Sequence, residues 1–363
     1  MTITREPVST EETEAQELEL DLSWMKQRGE WGVQAQPNDS KRGLTVDDVS
    51  IGSYGEAPDY SKNRSGRPRG ASARPDAYRV GGYGVNTKTD IWLKNAGGLY
   101  EEALQRQWSS ATDIPWHTVR PLPDDVEWAE CYFATFLTEV EFVAGDTPGK
   151  WVANTSSDYL EPKLFLSTQI MDEARHMDVF RKRSLANGGG LTRRHGGTDG
   201  IPGGIDLSRD FTEMSSRLHI SGEGIVLTLF RTAELMGYND AEKRIYRLCA
   251  QDESRHVAFG VMHLRYVGET EPERREEIHC YLDEAEQATV GPENFLGDEN
   301  FVGQAAAILL GGGKGKYDEG RKVSMAIHKR QIKEYMQRIH SAGFSERFEN
   351  GRANQEMMAL VQS

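Results

Sequence analysis

Cysteine is scarce in this chain. The three present, Cys131, Cys249 and Cys280, are odd in number and lack CxxC spacing. That excludes a disulfide scaffold and an iron–sulfur cluster, and it suits a reducing cytoplasm. Long apolar runs are missing too. Stretches such as Ile225–Phe230 fall far short of the roughly 20 residues a membrane-spanning helix needs. The acidic, polar start has no basic segment followed by an apolar one, so no secretory signal is expected. Positive charge is in deficit, with a net charge of −14, which argues against nucleic acid as the main partner. No Gly-x-Gly-x-x-Gly follows a strand, and no series of alternating strands appears.

What remains is a 363-residue chain, 37% hydrophobic, able to bury a sizeable core. Residues 1–88 differ from the rest. An acidic opening leads into a Gly/Ser/Pro/Arg-rich stretch with little apolar periodicity, read as an irregular, surface-wrapping arm. From about residue 90 the pattern turns helical. A helix around Leu99–Trp108 is followed by Pro123-Asp-Asp-Val-Glu127, an N-cap with a capping-box acid, opening a helix to about Gly145. Another starts near Asp158–Pro162 and ends near Ala186. A glycine-crowded connection spans Asn187 to Asp206 and includes Arg193-Arg-His195. Two helices over Phe211–Met236 and Ala241–Tyr266 share a short turn, and a last apolar stripe from Val323 to Ile339 ends at Gly343. The expected fold is all-α, with a helical domain at 89–343 and a C-terminal tail at 344–363.

One pattern occurs twice: Asp172-Glu-Ala-Arg-His176 and Asp252-Glu-Ser-Arg-His256. Each holds Glu-x-x-His, which sets a carboxylate and an imidazole on one helical face, within reach of one ion. A lone Glu-x-x-His means little among nine histidines. Glu276/His279 is such a match, in a charged context, and is read as solvated surface. The pentads recur eighty residues apart on two expected helices.

Each pentad also has an acid on the preceding helix. Glu223 lies 30 residues before Glu253, with the turn at Tyr238 midway, so an antiparallel hairpin brings Glu223 level with Glu253 and His256. In the first half, Glu139 and Glu141 are about 200° apart around a helix, so only one faces inward. Glu141, 32 residues before Glu173, is the choice. Because Gly145 follows so closely, the chain must keep climbing through Pro148-Gly149. Four carboxylates and two imidazoles would then converge, with only Arg175 and Arg255 nearby as counter-charges. Buried carboxylates need a charge partner. A carboxylate-rich set with one histidine per metal suits iron or manganese, whereas structural zinc prefers thiolate and imidazole. Buried ion pairs without metal are the alternative.

With these motifs, the chain resembles the ferritin-like diiron-carboxylate superfamily, whose helix-bundle ligand pattern is well known. Glu141-Phe-Val-Ala-Gly, Met171-Asp-Glu-Ala-Arg-His176, Gly222-Glu-Gly-Ile and Asp252-Glu-Ser-Arg-His256 look like the hydroxylase α-subunits of bacterial multicomponent monooxygenases. The resemblance covers roughly residues 124–266. It implies a ferritin-like four-helix bundle with additional helices and two iron ions, Fe/Mn being an alternative. Glu141, Glu173 and His176 would hold one ion and Glu223, Glu253 and His256 the other, with bridging carboxylates. Asp172 and Asp252 would each orient a histidine, crossed between motifs, while Arg175 and Arg255 tie that layer together. Dioxygen would be the co-substrate.

A pocket beside the metals would draw on Phe133, Leu137, Phe180, Ile220 and Leu227, each of which also reads as plain core. Some positions depart from the family. Many relatives place a threonine four residues after the acid at Glu223; here Leu227 stands there, and a π-bulge would be needed to turn Thr228 inward as a catalytic residue. Cys249 replaces the extra histidine of diiron arylamine N-oxygenases, and His219, Gln169 and Cys249 face the site by spacing. Phe180 occupies the position of the radical-bearing tyrosine of other relatives, leaving Tyr246 as the nearest phenol by spacing. The implied activity is an oxygenase or oxidase acting on a small organic molecule. Its expected partners are that substrate, an electron-donor protein (a reductase or ferredoxin) and further copies of the chain. A radical-generating subunit like that of ribonucleotide reductase and a non-catalytic metal-binding protein are the rival readings.

Overall fold

The structure, a computed structural model, describes residues 36–49, 93, 95–153, 155, 159–187, 189–192, 204–290 and 301–362. Helices dominate, and an isolated β-bridge pairs Asp39 with Gly43. The main elements are α1 (Ala96–Gln105), α2 (Asp124–Val152), α3 (Leu160–Ala186), α4 (Glu223–Met236), α5 (Asp240–Thr270), α6 (Arg275–Val290), α7 (Phe301–Gly311) and α8 (Tyr317–Ser341). A helical turn at Phe211–Ser215 and a π-helical segment at Ser216–Gly222 lead directly into α4.

Two helical hairpins, α2 with α3 and α4 with α5, pack into the four-helix core; α1, α7 and α8 lie against it. The second hairpin is set by its turn: Asn239 is extended, and its side chain accepts from Glu242 N at 3.0 Å, satisfying a free amide at the start of α5. Helix α2 runs unbroken past Gly145 to Val152 with Pro148 inside it, so the climb needed to bring Glu141 level with Glu173 is made as continuous helix. Its start also differs from the expected capping box. Pro123 occupies the N-cap without a side-chain cap, and Glu127 instead receives Arg183 Nη1 at 2.8 Å. A charge-assisted bond to a buried guanidinium outweighs one to a backbone amide.

Three apolar clusters fill the interior. One gathers Phe133, Leu137, Phe180, Leu227, Phe230 and Tyr246; a second gathers Trp151, Phe165, Phe211 and Phe259, with Phe165 and Phe259 stacked at 4.6 Å. By helical offset the motif glutamates fall between these two. The third cluster places Ile220 against α6 and α8, away from the other expected pocket residues.

Helices α6 and α7 have no counterpart in the reading along the sequence. Residues 344–362, set apart there as a tail, hold two short helices, Glu346–Glu349 and Gln355–Gln362, with Phe344, Ala353 and Met357 buried. His279 is not solvated surface: it is buried, its ring 5.4 Å from that of Phe344, while Glu276 pairs outward with Arg352. Gly343 ends α8 with φ +84, a conformation that favours glycine. Most of the arm expected at 1–88 lies outside the described residues, as does Arg193-Arg-His195.

Candidate dimetal centre

Glu141 on α2, Glu173 and His176 on α3, Glu223 on α4, and Glu253 and His256 on α5 converge in the bundle, and all six are buried. Two overlapping groups form. Glu141, Glu173, His176 and Glu253 offer donor atoms within 4.8 Å of one another, and so do Glu173, Glu223, Glu253 and His256. Glu173 and Glu253 therefore belong to both. Glu139, by contrast, is only half-buried and in neither group.

The two histidines are arranged alike. Nδ1 of His176 lies 3.1 Å from Glu173 Oε2, 3.3 Å from Glu253 Oε1 and 3.9 Å from Glu141 Oε2. Nδ1 of His256 lies 3.0 Å from Glu173 Oε1, 3.3 Å from Glu253 Oε2 and 3.8 Å from Glu223 Oε1. The opposite nitrogens cross over: His176 Nε2 sits 3.3 Å from Asp252 Oδ2, and His256 Nε2 sits 3.3 Å from Asp172 Oδ2. Both aspartates are buried and share two guanidinium groups. Arg255 donates to Asp172 at 2.9 Å and to Asp252 at 2.6 Å, and Arg175 bonds both as well.

Electrostatics follow from burial and this pairing. Burial, then the charge of Glu173, holds the Glu141 carboxyl well above the usual range; burial, then the neighbouring carboxylates against the pull of His256, does the same for Glu223. Burial also opposes ionisation of Glu173, but His256 and His176 outweigh it and keep that carboxyl below the usual range. His176 and His256 are raised despite burial, the first by Cys249, Asp252 and Glu173, the second by Glu223, Glu173 and Asp172.

The donor set fits metal ions. Glu141 Oε1, Glu173 Oε1 and Glu223 Oε2 are buried and make no hydrogen bond. Glu173 Oε1 is 3.0 Å from His256 Nδ1 yet lacks hydrogen-bond geometry. Metal–donor bonds of about 2.0–2.1 Å at right angles set neighbouring donors about 3 Å apart. Oxygen donors with one imidazole apiece suit iron or manganese better than zinc.

Around this cluster, Gln169 Nε2 donates to Glu223 Oε1 at 2.7 Å, and its amide oxygen faces His219 Nε2 at 3.2 Å. His219 Nδ1 in turn meets Ser215 Oγ at 2.9 Å. His219 thus reaches Glu223 through Gln169, and burial pulls its pKa down to about 3, leaving it neutral. Its close fit needs Gly260, where a Cβ would fall 2.3 Å from His219 Cβ.

Thr228 is placed elsewhere. Its hydroxyl donates to Glu334 on α8 at 2.6 Å. The π-helical segment lies before Glu223, so it turns Glu223 and Thr228 together and leaves their helical offset unchanged. Trp108, which sequence reasoning missed, donates from Nε1 to Asp252 at 2.7 Å and stacks on His176, with ring centroids 6.3 Å apart. No local pattern marks it, because the contact spans 144 residues.

The fold and centre together define the class: a ferritin-like helical bundle whose core carries a twofold carboxylate–imidazole cluster. Among solved structures, two variants of an R2-like ligand-binding oxidase with an anaerobically reconstituted Mn/Fe cofactor share this fold. They align with TM-scores of 0.51 and 0.50, each at 18% identity over 73% of this chain and over 99% and 98% of their own. Neither a protein-family model nor a curated protein matches the chain. Among the described residues no helix is long and apolar enough to cross a membrane.

Proposed function

We propose that this chain holds two metal ions, iron or a manganese/iron pair, and uses dioxygen to oxidise a small organic molecule with electrons from an external donor. The observation that carries this reading is the pair of four-residue groups sharing Glu173 and Glu253. Glu141 and His176 complete one metal position, and Glu223 and His256 complete the other. Bound there, the metals would supply the redox chemistry that no amino-acid side chain in the cluster can. The Mn/Fe cofactor of the structural neighbours supports the choice of metals.

The protein's own part is orientation and exclusion. Asp172 and Asp252 accept from the Nε2–H groups, which leaves each Nδ1 lone pair for a metal. Arg175 and Arg255 neutralise the aspartates, and Gln169 fixes one oxygen of Glu223. The Phe180, Phe230 and Tyr246 layer on one side and Phe165 and Phe259 on the other keep water from the cluster. Three cysteines with no pairing, two of them buried, suit a reducing compartment.

The test is metal analysis of purified protein combined with oxygen uptake. Close to two irons, or one iron and one manganese, are expected per chain, with uptake that depends on reductant and on added substrate. A single zinc per chain would overturn the reading. A radical-generating role predicts instead a persistent tyrosyl signal in paramagnetic resonance. None is expected, because Phe180 stands one turn beyond His176 and Tyr246 packs behind it, ring centroids 6.0 Å apart.

A further inference from the structure

About ten residues along the bundle from the motif glutamates, a second buried charge cluster surrounds Arg183 of α3. Nη1 of Arg183 donates to Glu127 at 2.8 Å, and its Nε donates to Glu242 at 2.7 Å. Glu242 also accepts from Tyr238 N at 2.8 Å, and Glu127 from Asn187 at 3.0 Å. A third carboxyl, Glu130, is 4% exposed. Its ion pair with Arg183 is 3.8 Å long, beyond hydrogen-bonding reach. Three acids thus face one guanidinium, and the least satisfied of them is Glu130.

Glu130 lines a cavity of about 50 Å³ between α2, α4, α5, α7 and α8. Its walls are Phe133, Leu229, Ala233, Ala306, Leu309 and Ile327, with Tyr246 and Glu242 beside Glu130 and with Met236 and Tyr238, both partly exposed, also lining it. Phe180, Phe230 and Tyr246, with ring centroids 5.4–6.0 Å apart, form the layer between this cavity and the carboxylate–imidazole cluster. Nothing in the proposed metal chemistry uses the cavity.

We infer that this cavity is a binding site for a small primary amine, whose ammonium pairs with Glu130 while its short alkyl chain lies along the apolar wall. Charge complementarity selects the occupant. An ammonium at Glu130 supplies the second cation that Glu127, Glu130 and Glu242 lack, and a carboxylate ligand is repelled by the same three. Size limits it as well: a cavity that holds the six carbons of benzene measures about 150 Å³ and a water needs about 10–15 Å³, so a space of about 50 Å³ takes an amine of one or two carbons. In support, burial, then the charge of Glu242, pushes the Glu130 carboxyl up to about 8, against the opposing pull of Arg183, as expected of an acid short of a counter-ion. The site is independent of the metal reading and would stand if that reading failed.

The test is calorimetric titration of the full-length, metal-loaded protein with ethylamine, ethanol and acetate, repeated after metal removal. One ethylamine per chain is expected, in both forms. Ethanol should bind at least about tenfold more weakly and acetate not at all. Glu130→Gln should lower ethylamine affinity to the level of ethanol while leaving ethanol unchanged, and Ala306→Leu, which fills the cavity, should abolish both. The inference is overturned if ethylamine fails to bind, if ethanol or acetate matches it, or if Glu130→Gln keeps full affinity. Binding that disappears with the metals would place the amine on them and overturn it too. Should Glu130→Gln fail to fold, Ala306→Leu decides, since ethylamine binding that survives it excludes this cavity.

Discussion

Asp252 lies 3.3 Å from the Nε2 of His176, a residue 76 positions earlier in the chain and on the other helical hairpin. Trp108, Arg175 and Arg255 also donate to Asp252. Its carboxyl is held below the usual range: burial opposes this, but His176, then Arg255 and Trp108, outweigh it. Replacing Asp252 by Asn keeps an acceptor for the imidazole but removes the charge that balances two guanidinium groups. Asp252→Asn is expected to fold, by circular dichroism, and to lose about 10–100-fold in metal affinity. Unchanged affinity would show that the aspartate does not tune the ligand.

Sharing of Glu173 and Glu253 between the two donor groups predicts two classes of variant. Glu173→Ala or Glu253→Ala should strip both metals, because each position loses a donor. Glu141→Ala or Glu223→Ala should leave about one metal per chain, since each completes one position only. Metal analysis of the four variants decides; equal losses in all four would contradict the shared arrangement.

A pH effect is expected at the far cluster. The Glu130 carboxyl titrates at about 8 in the folded chain against 4.5 ordinarily. Facing it are Glu127 and Arg183 and, from α5, Glu242. Between those two values the folded chain keeps a proton that the unfolded chain has released, so stability falls as pH rises through that window. Glu130→Gln removes the titration. Melting temperatures from pH 5 to 9 should show the variant gaining on the wild type as pH rises, and a constant difference would be incompatible with the shift.

Helix α8 clasps the segment that carries Glu223. Arg338 Nε donates to Ile220 O at 3.0 Å and Gln331 donates to Ile225 O at 3.0 Å, serving two carbonyls at and beyond the π-helical turn. Gly224 makes room for the guanidinium: a Cβ there would fall 2.3 Å from Arg338 Cζ. Gly224→Ala should therefore cost about 1–3 kcal/mol in urea unfolding. Metal bound at the Glu223 position should also loosen, giving a substoichiometric content, whereas full metal retention would show that the clasp is not transmitted to the ligand.

Much of this was legible in the sequence because helices write their faces at fixed spacing. The repeated Asp-Glu-x-Arg-His could only bring its acids and imidazoles together, and equal arms about Tyr238 set Glu223 level with Glu253. Contacts made across the bundle by residues outside any repeat were not legible. Trp108 reaches Asp252 from the irregular segment after α1, Arg338 reaches Ile220 from a helix beyond the motif region, and Arg183 draws Glu127 away from the cap it was expected to form. The π-helical turn at Ser216–Gly222 was not legible either, because one inserted residue leaves no mark in a helical apolar pattern.

The twofold likeness of the centre is broken at one hydrogen bond. Glu223 is anchored by the amide of Gln169, itself held through His219 and Ser215, while Glu141 Oε1 has no such anchor. One oxygen of Glu223 is therefore held by the protein itself, while its second oxygen is as open as Glu141 Oε1. Sequential loading, first beside Glu223, is the outcome expected from that anchor, and at one equivalent of metal per chain Glu141→Ala should then keep more of it than Glu223→Ala.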